Sequence, residues 1–186
     1  MNKRLILASA IALLGFTGSA FAADGVGGQG FIRGELGSTN TKLSAEGESD
    51  SEDDVSYGVR GGYYFNKNFA VEGFYNSYYS KSQDGVSIDL DGVGAGVAGK
   101  LYFAEGMDTG WFVSGRAGAV RLKAKISVDG FGSGSDHETK PYAGVGLGYD
   151  FSRNLGLSLN YDYVKADYSG VDIKLQTAAA ALEYRF

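Results

Sequence analysis

The sequence of 186 residues has no cysteine, a single proline and, beyond its first 22 residues, no apolar run long enough for a membrane-spanning helix. Without cysteine, a disulfide framework is excluded. The chain instead has 30 glycines, 13 tyrosines and 11 phenylalanines, a composition that disfavours helices and favours strands. The mature protein must therefore be stabilised by strand pairing and by its solvent.

Positive charge is also scarce, since 17 lysines and arginines stand against 22 aspartates and glutamates. The formal net charge is −5, and the sequence has no cluster of basic residues. Nucleic-acid-binding proteins usually carry a basic patch or stripe. The composition therefore predicts no nucleic-acid partner.

The first 22 residues have the pattern of a cleavable export signal. Lys3 and Arg4 precede an apolar run over residues 5–14, and Ala20 and Ala22 are small residues at a cleavage position. The run is shorter than the roughly 20 residues that a spanning helix needs. We therefore predict a signal peptide over residues 1–22 and one domain over residues 23–186.

The clearest structural signal is an alternating pattern over residues 143–163. On both sides of the short segment 152–154, large apolar residues occupy odd positions, and Gly, Asp, Ser and Asn occupy most even positions. A period of two predicts two antiparallel strands, each with an apolar and a polar face. Aromatic residues mark both ends of the apolar face, which is typical of strands that face lipid.

The same alternation predicts eight strands along the chain, joined in turn by short turns and longer polar loops. Barrels of the outer membrane keep their periplasmic turns short and their external loops long. We therefore expect both chain termini on the periplasmic side and solvated external loops at residues 38–54, 80–85, 127–139 and 165–170.

Two interruptions of the pattern occur near Asp91 and after Val120, where apolar residues move to even positions. An extra residue in a strand shifts its side-chain alternation by one. We therefore expect a β-bulge near Asp91.

The repeated hairpin centre YYFNKNF at residues 63–69, echoed by YDFSRNL at 149–155, and the final LEYRF resemble the OmpA-like and OmpX-like barrels of the outer membrane. The resemblance implies an all-β fold, an eight-stranded antiparallel up-and-down transmembrane β-barrel in the outer membrane of a Gram-negative bacterium. It also implies that Leu182, Tyr184 and Phe186 act as an assembly signal for the barrel-assembly machinery. Membrane lipid and lipopolysaccharide are the expected surroundings, and a monomer is the expected state.

Charged residues at polar-face positions are expected to fill the barrel interior, which has just enough room for side chains when a barrel has eight strands. Counting from the strand ends puts cations and carboxylates at similar depths. We therefore predict a salt-bridged network inside the barrel, with five members of each sign: Arg33, Arg60, Lys100, Arg116, Arg185, Glu35, Glu72, Asp150, Asp162 and Glu183.

Three motifs suggest chemistry without a supporting context. The glycine-rich segment 94–100 is similar to a nucleotide-binding loop, but the strand alternation continues through it. The acidic residues of 46–54 could bind a hard cation, yet they lack the spacing of a calcium loop. His137, the only histidine, lies near Ser133 and Ser135 in a glycine-rich segment. We expect no cofactor, no metal site and no catalytic residues.

The sequence therefore predicts a non-enzymatic, surface-exposed barrel whose external loops are available for adhesion or host contact. A narrow, porin-like diffusion channel is the main alternative. A lipid A-modifying enzyme that uses His137 and a nearby serine is a weaker one.

Overall fold

A computed structural model of the chain describes residues 28–45, 48–83, 86–104, 109–128, 132–168 and 171–186. The predicted signal peptide, residues 1–22, lies outside these ranges, so its cleavage stays a prediction.

The described residues form eight β-strands of 14 to 19 residues each. In chain order they are β1 (Gln29–Ala45), β2 (Glu48–Asn66), β3 (Phe69–Gln83), β4 (Val86–Tyr102), β5 (Gly110–Val128), β6 (Gly132–Asp150), β7 (Leu155–Tyr168) and β8 (Val171–Arg185).

Each strand pairs with its neighbours in sequence, and β1 pairs antiparallel with β8 to close the sheet. The closure is continued by Gly30 and Phe186, whose amide and carbonyl groups exchange two hydrogen bonds of 3.0 and 2.9 Å. The predicted eight-stranded up-and-down barrel is thus confirmed. Within the described residues, no helix has the length and apolar character needed to cross a membrane.

The two ends of the barrel differ in their connections. We call one end the terminal end; it contains Gly30, Phe186 and the tight turns at 66–69 and 151–155. We call the opposite end the far end. At the 66–69 turn, the Asn66 side chain accepts hydrogen bonds from the amides of Asn68 and Phe69, both at 2.8 Å. Such bonds to nearby amides replace strand pairing and allow the chain to reverse within a few residues.

The outer face carries an apolar band between two aromatic zones. Three tyrosines mark the far-end zone: Tyr57, Tyr75 and Tyr161. The terminal-end zone contains Tyr63, Phe65, Phe69, Phe103, Trp111, Tyr149, Phe151, Tyr184 and Phe186, all exposed. Several of these rings touch edge to face, as Trp111 and Tyr149 do with centroids 5.4 Å apart. From Phe65 to Tyr57 the strand covers about 26 Å, which suits a tilted strand that crosses a membrane core.

The prediction of long external loops is wrong in extent, because most of the residues assigned to loops continue the strands. The pairing of β1 with β2 runs without interruption from Gln29 opposite Tyr64 to Ala45 opposite Glu48, through the predicted loop 38–54. The strands likewise continue through most of 80–85, 127–139 and 165–170. These segments are polar on both faces, so their sequence shows no apolar alternation, although the backbone pairing persists.

The bulge expected near Asp91 lies on the neighbouring strand. β4 pairs with β5 in continuous register through Asp91, whereas Ser77 and Tyr79 of β3 pair with Asp91 and Leu90 across a register shift. Tyr78 is the extra residue, and its side chain is buried. The even-numbered apolar residues Val120 and Leu122 do not mark a slip in register, because they face the interior and are buried there.

The barrel interior as the candidate functional site

All ten charged residues predicted to face inward are buried, with at most 8% of each exposed to solvent. They come from every strand of the barrel, because each strand directs alternate residues inward. We call these ten residues the charged layer: Arg33, Glu35, Arg60, Glu72, Lys100, Arg116, Asp150, Asp162, Glu183 and Arg185.

Arg60 is the centre of the part of the charged layer nearer the far end. Its guanidinium group contacts three carboxylates, those of Glu35, Glu72 and Asp162, each at 2.9 Å. Arg116 binds two of the same acids, Glu35 at 2.9 Å and Asp162 at 2.6 Å. Two arginines therefore cross-link three carboxylates that come from three different strands.

Glu183 is the centre of the part nearer the terminal end. It accepts hydrogen bonds from Nε of Arg33 at 2.9 Å and from Nζ of Lys100 at 2.7 Å. Asp150 contacts Lys100 at 3.4 Å and Arg185 at 2.6 Å. A longer contact of 3.7 Å between Arg33 and Glu72 joins the two parts.

Three tyrosine hydroxyl groups complete the hydrogen bonding of the acids. Tyr142 donates to Glu72 at 2.9 Å, Tyr102 to Asp150 at 2.6 Å and Tyr64 to Glu183 at 3.3 Å. The ten residues predicted to fill the interior were all charged and included no tyrosine. For Tyr142, the available signal was an even position between the odd-numbered outward-facing residues of β6.

Rings also cover the cations of the charged layer. The guanidinium carbon of Arg60 lies 4.2 Å from the ring centroid of Phe74, and Nζ of Lys100 lies 4.3 Å from that of Phe112. A cation over a ring face is attracted by the ring quadrupole, and more strongly where water is excluded. The aromatic residues therefore compensate part of the lost hydration of the cations.

Close approach across the barrel depends on glycine at two positions in particular. A Cβ atom at Gly144 would overlap the carboxylate of Asp162, and one at Gly96 would overlap the backbone of Ala117 and come within 2.5 Å of the Tyr142 hydroxyl. The two glycines therefore leave space for a carboxylate and a phenol of the network.

A second interior layer lies on the far-end side of the charged layer. It is apolar and consists of seven buried residues that pack together, with Leu90 partly buried against them. We call it the apolar plug: Phe74, Tyr78, Val120, Leu122, Tyr142, Val164 and Leu175. Phe74 and Tyr142 meet edge to face with centroids 4.9 Å apart, and because both rings adjoin Arg60 or Glu72, they connect the two layers.

Across the barrel interior from most of the apolar plug, the inward-facing side chains are polar. Hydroxyl groups of Thr39 and Thr177 share a hydrogen bond of 2.8 Å. Nearby, Oγ of Ser56 and Oδ1 of Asn76 are buried without a protein partner, and both residues line a small cavity together with Glu35 and Tyr78. A polar cavity of this kind can hold ordered water.

The acids of the charged layer are paired with cations. Among the described residues, no group of three or more His, Cys, Asp or Glu side chains is placed to hold a metal ion. The five cations and five carboxylates of the charged layer neutralise one another. A lysine or arginine facing lipid instead would cost about 2–4 kcal/mol near the midplane, which explains their inward position.

The remaining motifs are placed as follows. Residues 94–100 form the middle of β4, and Lys100 belongs to the charged layer. His137 is exposed on β6, opposite Lys123, whereas the side chains of Ser133 and Ser135 lie outside the described part of the structure. Of the acidic segment, Glu46 is outside the described residues, and the side chains of Glu48, Asp50 and Glu52 are also not described. Asp53 accepts a hydrogen bond of 3.0 Å from Asn40.

The three residues of the predicted assembly signal lie on the outer face of β8 and just beyond it. Leu182, Tyr184 and Phe186 are 54%, 52% and 62% exposed, and the rings of Tyr184 and Phe186 stack with centroids 6.4 Å apart. They contribute to the lipid-facing surface of the finished barrel. Their use as a signal stays a prediction.

A closed eight-stranded sheet with a lipid-facing outer surface and a charged interior defines an outer-membrane β-barrel protein. The family model described as "Outer membrane protein beta-barrel domain" matches residues 8–186, and the chain belongs to this family. Its place is the outer membrane of Gram-negative bacteria.

Solved structures agree on the fold. Neisserial surface protein A is 17% identical, with a TM-score of 0.64 over 84% of this chain and 97% of that one. The attachment invasion locus protein Ail of Yersinia pestis, solved with the heparin analogue sucrose octasulfate, is 19% identical, with a TM-score of 0.56 over 85% and 99%. The N-terminal barrel of Pseudomonas aeruginosa OprF is 16% identical, with a TM-score of 0.57 over 86% and 99%. No curated protein matches the sequence.

Proposed function

We propose that the protein is a closed barrel that displays its far end on the cell surface, where the strand extensions and their loops contact adhesive or host ligands. The observation that carries this proposal is the unequal length of the barrel on the two sides of the apolar band. At the terminal end, the turns follow the aromatic zone at once, as Asn66 follows Phe65. At the far end, β2 continues for nine residues beyond Tyr57, to Glu48.

Nine residues of strand extend about 30 Å, and they keep their partners in β1. The far end is therefore a stiff, polar projection that holds its loops away from the membrane. Outer-membrane barrels place short turns in the periplasm and longer segments outside. This rule supports both termini on the periplasmic side and the far end at the surface.

The neighbouring structures support a surface role only by analogy. One of them is called a surface protein, and another an attachment protein that was solved with a sulfated heparin analogue. Fold alone does not determine function. For this chain, adhesion stays a proposal that adhesion and serum-resistance assays on deletion strains address.

Two other functions are weaker. The polar cavity beside the apolar plug favours a narrow, water-filled channel, but the two sealing layers oppose it. For a lipid A-modifying enzyme, the candidate catalytic residue among the described residues is His137, and its side chain is exposed on β6. Lipid A with an unchanged mass spectrum after His137→Ala would remove that possibility.

For assembly, we propose a monomer inserted by the barrel-assembly machinery, which would read Leu182, Tyr184 and Phe186. The sheet closes on itself, so no strand edge is left to pair with a second copy. Lipid and lipopolysaccharide then surround the outer face.

Surface display can be tested by labelling, because the chain contains no cysteine. Asp53→Cys introduces one exposed thiol at the far end, and Arg153→Cys introduces one in a turn at the terminal end. On intact cells, a membrane-impermeant maleimide is expected to label only Asp53→Cys, and Arg153→Cys is expected to react after permeabilisation. Labelling of Arg153→Cys alone on intact cells would contradict the proposed orientation.

A further inference from the structure

The sheet that is closed within the membrane separates into two smaller sheets at the far end. The pairing of β2 with β3 ends at Tyr57 opposite Ser77, and that of β6 with β7 ends at Tyr142 opposite Val164. The other pairings continue almost to the ends of the described strands. One projecting sheet therefore consists of β7, β8, β1 and β2, and the other of β3, β4, β5 and β6.

The separation leaves one side of β2 without a strand partner over residues 48–56. In an antiparallel strand, the backbone groups of successive residues point to opposite neighbours. The carbonyl of Tyr64 accepts a hydrogen bond of 2.9 Å from Gly28, which directly precedes β1, so even-numbered residues of β2 pair with β1. The odd-numbered residues that present amide and carbonyl groups on the open side are Ser49, Ser51 and Asp53.

A carboxylate lies at the point where β2 and β3 separate. Asp54 accepts hydrogen bonds from the amide of Val55 at 2.8 Å and from the amide of Ser80, on β3, at 3.2 Å. Next to it, Oγ of Ser56 and Oδ1 of Asn76 lack a protein partner, although Ser56 is only 4% and Asn76 only 6% exposed. Asp54 thus replaces strand pairing at the point of separation, and two buried polar atoms there still lack a partner.

The open side of β2 is also strongly acidic. Residues 48–54 include no cation and five acids: Glu48, Asp50, Glu52, Asp53 and Asp54. Four of these acids occupy alternate positions, which share one face of a strand. Opposite charges across a strand pair stabilise it, and like charges destabilise it. The acids therefore favour a basic strand as neighbour and oppose a second copy of β2.

The open side of β6, over residues 132–141, has a different character. Glu138 forms an ion pair with Lys140, so its charges are mixed. Pro141 lies beside the last β6–β7 pair, and proline has no amide hydrogen to donate to a neighbouring strand. This second edge has no comparable preference for a charged partner and offers a matched control.

We propose that residues 48–53, which we call the β2 edge, bind an extended polypeptide segment with lysine or arginine at alternate positions. The segment adds to β2 as a further strand, paired with the backbone of Ser49, Ser51 and Asp53, and the acids select a basic sequence. Strand addition to an open sheet edge is a general mode of peptide recognition. The inference deepens the proposed surface role and rests on it, because ligands outside the cell reach this edge only if the far end is external.

The test measures the binding of labelled peptides to the purified barrel in phosphatidylcholine nanodiscs, by fluorescence anisotropy at physiological salt. The probe is a short peptide in which lysine and valine alternate. One comparison peptide has the same sequence with every backbone amide methylated, which keeps its charge and removes its hydrogen-bond donors. A second has glutamate in place of lysine. Only the unmodified basic peptide is expected to bind.

The main variant is Ser51→Pro, which removes an amide on the open side and leaves the pairing of β2 with β1 intact, as proline does on edge strands. Its matched control is Ser135→Pro on β6, at a position with the same backbone direction as Pro141. One hydrogen bond is worth about a fivefold change in affinity. We expect Ser51→Pro to bind the basic peptide about fivefold more weakly and Ser135→Pro to bind it as the wild type does.

A second pair of variants tests the charge and keeps every backbone amide. Asp50→Asn with Glu52→Gln should weaken binding of the basic peptide roughly fivefold, whereas Asp136→Asn with Glu138→Gln, the same two changes on β6, should not. Heat-modifiable migration in gels checks that each variant is folded. In hydrogen exchange, the basic peptide should slow the amides of Ser49, Ser51 and Asp53.

Four results would overturn the proposal: no binding of the basic peptide, equal binding of its methylated form, equal binding of the glutamate peptide, or equal losses in Ser51→Pro and Ser135→Pro. The first would mean that the acids only keep the edge solvated, and the second that charge acts without strand addition. The maleimide labelling of Asp53→Cys and Arg153→Cys is an independent measurement. Peptide binding with reversed labelling would refute the surface role alone, and expected labelling without peptide binding would refute the β2 edge alone.

Discussion

The charged layer and the apolar plug fill the same lumen by opposite means. In the charged layer, Arg60 is buried together with the three carboxylates that it contacts at 2.9 Å. In the plug, Val120, Leu122 and Leu175 are buried and pack by apolar contact alone. The stability of the charged layer depends on the direction of each hydrogen bond. The stability of the apolar plug depends on how completely its side chains fill the interior.

This difference determines how each layer should respond to mutation. Removing one member of a buried ion network leaves its partners charged and desolvated, whereas truncating an apolar side chain loses transfer free energy and leaves a cavity. The charged layer is therefore expected to be the more sensitive to a single change.

The largest effect is expected for Arg60→Ala, which leaves Glu35, Glu72 and Asp162 with fewer positive partners. Breaking a buried pair costs about 3–5 kcal/mol, and the free energy of unfolding in urea, measured in lipid vesicles, should fall by that amount. Arg153→Ala, in an exposed turn, is the control and should change it by less than about 0.5 kcal/mol. A loss below about 1 kcal/mol for Arg60→Ala would show that the acids find other partners.

A smaller loss is expected for Leu122→Ala in the plug. Leucine-to-alanine changes in packed interiors cost about 2–5 kcal/mol, and the lower half of that range is expected because the change leaves no buried charge without a partner. The same unfolding experiment measures it. Leu159→Ala, on the lipid face and 66% exposed, creates no enclosed cavity and should be less destabilising. Equal losses at the two positions would indicate that the plug is loosely packed.

The smallest effect is expected on ion conductance, since the proposed closed barrel has two layers and we expect either one to block ions without the other. Arg116→Ala, Glu35→Ala and Leu122→Ala should each behave as the wild type does in planar lipid bilayers, without reproducible conductance. A reproducible wild-type conductance that changes with Arg116→Ala or Glu35→Ala would show that ions pass the charged layer, and the channel function would then replace the closed barrel.

The two layers also differ in how visible they are in the sequence. A charged residue between lipid-facing apolar residues, such as Glu72 between Val71 and Gly73, stands out by its polarity, so its inward direction follows from alternation alone. Val120 and Leu122 have the same character as lipid-facing residues. Their even positions were therefore interpreted as a slip in phase, whereas the structure shows an apolar interior.

Strand number and pairing order could be predicted, but strand length and the strand that carries the bulge near Asp91 could not. Beyond the membrane both strand faces are polar, so the segment from Ser38 to Ala45 has no period, although each residue pairs with β2. Tyr78 shifts the register of β3 by one residue where its neighbours Ser77 and Tyr79 give no consistent pattern. Strand length and the position of the bulge both depend on how a strand pairs with its neighbours. The residues of a single strand do not specify that pairing.

The seam between β1 and β8 has a consequence for the order of folding. Seven of the eight strand pairings join neighbours in sequence, but this one joins residues such as Arg33 and Glu183, which are 150 positions apart. Long loops cost entropy before their contacts form, and such contacts slow folding. The barrel should therefore seal last along this line, and the bond between Arg33 and Glu183 should form in the step that commits the chain to its closed state.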